Sequence, residues 1–248
     1  MVGRAAALLA LRRRVAAFVV AAAVVVAWFE IAPHLGGYSL WPTILLVSLV
    51  VMPGTLFLAL IALPLWREKW LFPAAVVLGL IAFGCAQAGW GLAGNFAKLW
   101  AAIFAGWAFL RLFEELSWVV LVALVIPLVD IISVYKGPTK TITQHHFHVY
   151  TAVAIAFVVP GGAAAYLGPP DVLFYALFLA AAQRWQLRVV VTWIAMTAMY
   201  AFTVILATAI NVDGLPALPF LSFGFLVANA DILWRSIRRK EDLPASPA

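Results

Sequence analysis

With 66% of its 248 residues hydrophobic and only 10% charged, the chain falls outside the soluble globular class, in which roughly a quarter of residues are charged. Its net charge of +6 sits in short basic clusters between apolar runs, a pattern of membrane topology and anionic-lipid contact, not of nucleic-acid binding. The single cysteine, Cys85, lies inside an apolar run, which excludes an internal disulfide and argues against thiol chemistry.

In chain order, the first segment, MVGRAAALLALRRRVAAFVVAAAVVVAWFE, has too long an apolar run and no clear small-x-small cleavage site, so it reads as an uncleaved span near Val15–Ile31. Arg12, Arg13 and Arg14 hold its start on the cytoplasmic side. Further apolar runs follow near Trp41–Leu65, Leu71–Leu92, Ala97–Phe113 and Leu116–Tyr135, then near Asp171–Ala182, Val189–Ile210 and Pro216–Trp234. Pro53-Gly54 marks a kink in the second. The stretch Val149–Leu167 contains Pro160-Gly161-Gly162 and reads as a segment that crosses, dips or lies at the interface. Irregular backbone is tolerated at membrane depth only where protein or a water-filled cavity shields it. The fold class is therefore an all-α polytopic transmembrane bundle of about eight spans, with seven to nine compatible. Eight spans with the N-terminus inside put WREKW, RLFEE, QRWQLR and RSIRRK all on the cytoplasmic side; KGPTK (Lys136 to Lys140) alone falls outside.

Ionisable groups inside spans are costly and each is a functional candidate. Glu30 lies near a span end, and Arg111 with Glu115 and Asp231 with Arg235 have the spacing of neutralising i,i+4 pairs. Asp130, in VVLVALVIPLVDIISVY, and Asp171, after LGPP, have no local basic partner. One lies late in its helix and the other early in a later one, so the two can meet at similar depth. Two adjacent carboxylates cannot both ionise cheaply; they share a proton and titrate as a pair. The ionised member can deprotonate water while the protonated one polarises a carbonyl, which is aspartic-protease chemistry without metal or cofactor. A proton or cation relay in a small transporter uses the same two residues, and the residues alone leave both readings open. His145, His146 and His148 lack convergent carboxylate or thiol neighbours and read as interfacial loop histidines, not a metal site.

Three motifs sharpen the choice. VDIISVYKGPTKTI resembles the first catalytic motif of presenilin-type intramembrane aspartyl proteases, LGPPDVLFYALF resembles the second, and LPALPFLSFGFL carries a Pro-Ala-Leu triplet as Pro216, Ala217 and Leu218. The connector AIAFVVPGG is similar to the hydrophobic segment before the second motif in microbial relatives. The chain thus resembles the presenilin and signal-peptide-peptidase superfamily over about Leu112 to Trp234. Two positions depart from it: Val129 stands where the family has tyrosine, and Pro170 where it has the second glycine.

The resemblance implies an intramembrane aspartic endopeptidase that hydrolyses peptide bonds within transmembrane segments of other membrane proteins. Residues 1–113 would form a scaffold of transmembrane helices and 114–248 the catalytic core. Asp130 and Asp171 would be catalytic, and Gly168, Pro216, Ala217 and Leu218 would bind substrate, with no metal or cofactor. Its partners would be substrate transmembrane segments and the lipid bilayer, in a prokaryotic cell membrane. The departures at Val129 and Pro170 keep a catalytically inactive binder of membrane segments as the rival within the family. From helix position, Asp171 in a first turn is expected as the ionised base and Asp130 in the last turns as the protonated acid. The prolines of LPALP are expected to hold an unwound helix entry beside the dyad, its backbone free to pair with an extended substrate.

Overall fold

The computed structural model describes residues 2–136, 147–162, 164–212 and 214–241. His145 and His146, and the loop after Lys136, lie outside the described residues.

Every apolar run expected to span is helical. The first is α1 (Val2–Ile31). The second is α2 (Leu40–Leu46), a π turn at Val47–Val51, then α3 (Met52–Ala62) with a 3-10 extension to Arg67. The break has a local cause: Pro53 has no N–H to give the preceding turn, so the ladder widens just before it. Next come α4 (Leu71–Ala88), α5 (Gly91–Phe109) and α6 (Leu116–Lys136). After the connector lie α8 (Pro169–Arg184), α9 (Val189–Ala209) and α10 (Leu218–Glu241). Among the described residues, five stretches are long and apolar enough to cross a membrane: Leu9–His34, Leu40–Arg67, Leu71–Ala88, Leu116–Val134 and Val189–Ala209. Their outer faces carry exposed Val19, Val24, Phe72, Leu80, Leu121 and Leu128, an apolar surface suited to lipid.

The ambiguous connector does not cross. It forms a short helix, α7 (Phe147–Val153), which contains His148, and then a two-stranded antiparallel hairpin, β1 (Ile155–Val158) and β2 (Ala164–Leu167). Gly161 and Gly162 turn the chain at φ 84° and 76°, angles that penalise any side chain. The tip meets the loop after α1, where the Gly161 N–H donates to the Leu35 carbonyl at 3.0 Å. Ile155, Phe157 and Val159 are buried, so the hairpin is part of the core. It also explains why α8 has only 16 residues, about 24 Å: the hairpin fills the rest of that layer. From Tyr175 to Ala182 every α8 residue is buried, which makes α8 the central helix of the bundle.

Hydrogen bonds gather the basic connectors at one end. The Arg111 guanidinium donates to the carbonyls of Arg67 and Glu68, and Arg184 donates to the Leu110 carbonyl at 3.0 Å. Arg188 holds Asp231 through two bonds of 2.7 Å, and Arg235 adds the i,i+4 contact at 3.2 Å. The clusters grouped on one side by charge alone thus share one end of the molecule, called the basic end below.

Candidate active site

Helix rise places the key residues in one layer. Asp130 lies 14 residues after Leu116, where α6 leaves the basic end, a rise of about 21 Å. Asp171 lies 13 residues before Arg184, and Leu218 lies 13 before Asp231, each about 20 Å from that end. Tyr200 is 12 residues from Arg188, about 18 Å. Four helices therefore bring these residues to a similar rise from the basic end.

Asp130 and Asp171 are both half-buried, on helices α6 and α8, which contact each other and both contact α10. Asp130 follows Pro127, which withdraws one N–H from the α6 ladder a turn earlier. Its Oδ2 accepts the Leu218 N–H at 3.0 Å. Asp171 is the third residue of α8 and accepts the Gly168 N–H on Oδ2 at 3.0 Å, the return half of a capping box. Each carboxylate thus holds one main-chain donor, so hydrogen bonding does not rank them. Asp171 lies in a first turn, and Asp130 six residues before the end of α6.

The proline-rich entry is used differently from the expectation. Pro216 and Ala217 are buried and non-helical, and α10 starts at Leu218 with Pro219 in its first turn. The Ala217 carbonyl already accepts the Leu221 N–H at 3.0 Å, and the Leu218 N–H is on Asp130. These two main-chain groups are therefore engaged within the protein, one of them on Asp130.

Both departures from the resembled motifs are accommodated. Pro170 occupies the second position of α8, where no N–H is required. Gly168 matters more: a Cβ there would lie 3.0 Å from Asp171 Oδ2, crowding the carboxylate. Val129 is 52% exposed. Tyr200 of α9 donates to the main-chain carbonyl of Asp171 at 2.7 Å. Tyr175 stacks on Tyr200 with centroids 5.7 Å apart, and its own hydroxyl lies 2.9 Å from Thr197 Oγ1.

Sequence reasoning missed Tyr200, which carries no motif. It also passed over Asn95 and Lys98, although a lysine within an apolar run meets the criterion applied to the aspartates. Both touch the connector: Lys98 Nζ donates to the carbonyls of Thr151, Ala152 and Ala154 at 3.4, 3.2 and 2.5 Å. Among the described residues no group of three or more histidine, cysteine or carboxylate side chains could hold a metal ion. Comparison with protein-family models, curated proteins and solved structures finds no match to this chain.

Proposed function

We propose that this protein is an intramembrane aspartic endopeptidase, with Asp130 and Asp171 as its catalytic pair. The observation that carries the reading is their convergence: two carboxylates on helices that contact each other, at a similar rise from the basic end, with the Pro-Ala-Leu entry bonded to one of them. The order of the three motifs supports membership of the presenilin and signal-peptide-peptidase superfamily.

In the proposed reaction the ionised aspartate takes a proton from water as its oxygen adds to the substrate carbonyl. The protonated partner donates its proton to the carbonyl oxygen, giving a neutral gem-diol. Collapse returns a proton from the diol to a carboxylate, the amide nitrogen is protonated by the partner, and the C–N bond breaks to an acid and an amine. Either aspartate can take the role of ionised base, with the other carrying the proton. An apolar groove of about 1270 Å³ between α4, α5 and α8, bordered by Pro169 and Pro170, offers room for a transmembrane segment beside the start of α8. β2 is an edge strand of the two-stranded sheet and ends one residue before Gly168, so an unwound substrate added there would be led to the dyad. The basic end is assigned to the cytoplasm by its lysines and arginines.

The test uses purified protein in liposomes and a labelled transmembrane peptide, comparing wild type with Asp130→Ala and Asp171→Ala. Cleavage by wild type that both substitutions abolish is the expected result. Absence of cleavage across a broad peptide panel would favour an inactive binder, and proton-coupled flux blocked by the same substitutions would favour transport.

A further inference from the structure

We propose that Asn95 is a positioning residue: from α5 it completes the outer edge of β1 and so fixes the hairpin that delivers Gly168 and Asp171. The inference rests on the protease reading only for its kinetic consequence.

The geometry is that of a strand partner supplied by side chains. Asn95 Nδ2 donates to the Ala156 carbonyl at 2.9 Å, while its Oδ1 accepts the Ala156 N–H at 2.7 Å. A residue on a neighbouring antiparallel strand would make the same two-bond exchange. The carbonyls on either side at period two are also taken: Ala154 by Lys98 Nζ at 2.5 Å and Val158 by Trp28 Nε1 at 3.0 Å. Lys98 is one turn beyond Asn95 on α5, and Trp28 comes from α1. Three side chains from two helices thus satisfy residues 154, 156 and 158 in succession.

A sheet edge at membrane depth has no water to complete it, so each open group costs heavily. Asn95 is only 7% exposed, and of the three it alone offers both a donor and an acceptor. Ala156 pairs with Tyr166 across the hairpin, two residues before Gly168. The position of α5 is therefore passed to Asp171 through one amide, one strand pair and a short link. An apolar residue at 95 would leave the Ala156 N–H and C=O unsatisfied and loosen the hairpin without touching either carboxylate.

The experiment compares wild type, Asn95→Leu, Asn95→Asp and Thr55→Val in nanodiscs. Thr55 is the control, a buried hydroxyl bonded within its own helix to the Val51 carbonyl at 2.8 Å. Amide hydrogen exchange of residues 155–167, thermal unfolding, kcat and KM for a labelled transmembrane peptide, and the bond cut are measured. Asn95→Leu is expected to speed exchange in 155–167 by about tenfold, the effect of one buried pair left open, with other segments unchanged. It should lower kcat more than it raises KM and spread cleavage over neighbouring bonds. Asn95→Asp, which keeps the acceptor and loses the donor, should fall between, and Thr55→Val should match wild type. Unchanged exchange in 155–167, or a rise spread over the whole bundle, overturns the proposal. A wild type with no proteolysis would instead sink the protease reading, with the exchange result still deciding the role of Asn95.

Discussion

Gly106 offers a sharp test of how the bundle holds its central helix. It lies on α5 where α8 crosses, and a Cβ built there would stand 2.2 Å from the Leu173 carbonyl oxygen and 3.1 Å from Ala176 Cβ. Ordinary contact begins at 3.4 Å, so Gly106→Ala requires the backbones to part by 3.4 − 2.2 = 1.2 Å. The obstructing atom is main chain, which has no rotamer to yield. Leu173 is two residues beyond Asp171, so the displacement reaches the dyad. Overpacking of this kind costs about 1–3 kcal/mol of stability, while a misplacement of about 1 Å at a reacting centre costs about 10²-fold in rate. Gly106→Ala is therefore expected to lose about two orders of magnitude in peptide cleavage while remaining folded. Gly84→Ala on α4, where an added Cβ meets nothing within 4 Å, serves as control. Cleavage rates and thermal unfolding would be measured on both variants in the same liposomes. A Gly106→Ala rate within about threefold of wild type would refute the claim that α5–α8 contact sets the dyad geometry.

Other consequences follow from the site. A proton shared between Asp130 and Asp171 gives two macroscopic ionisations, so wild-type kcat/KM should trace a bell against pH; a monotonic profile would contradict the shared proton. Tyr200→Phe removes the hydroxyl from the Asp171 main-chain carbonyl and is expected to lower kcat by about tenfold with KM little changed, measured by steady-state cleavage; equal loss from Tyr175→Phe, which keeps the stacked ring and removes only the hydroxyl on Thr197, would show that the effect is not specific to the Tyr200 bond. Pro216→Ala lets regular helix extend back from Leu218 and disturbs the N–H held by Asp130, so proteolysis should fall further than thermal stability. Wild-type cleavage in that variant would reduce the stretch to a plain helix entry.

Much of this molecule is legible in its residues. Low charge and long apolar runs fix a helical membrane bundle, because helices satisfy their own backbone within a segment and need no partner to do so. The same locality made Asp130 and Asp171 visible: each is an ionisable group in an apolar run with no compensating charge nearby. Prolines likewise mark a helix start, as at Pro169-Pro170 and at Pro219, since the first turn tolerates a missing N–H at no cost.

What tertiary structure decided is everything that depends on a partner distant in sequence. The apolar run Val149–Leu167 is, by composition alone, compatible with crossing, dipping or lying at the interface. It exists as a hairpin because Asn95, Lys98 and Trp28, up to 130 positions away, supply hydrogen bonds that the bilayer cannot. Tyr200 stands near the dyad because α9 rises from the same basic end as α8, not through any motif. The entry at Pro216–Leu218, expected to present its backbone to a substrate, spends the Leu218 N–H on Asp130. Periodicity and composition report what a segment satisfies within itself. Where a backbone group or carboxylate must be satisfied across the bundle, only the packed arrangement of α1, α5, α6, α8, α9 and α10 names the residue that does it.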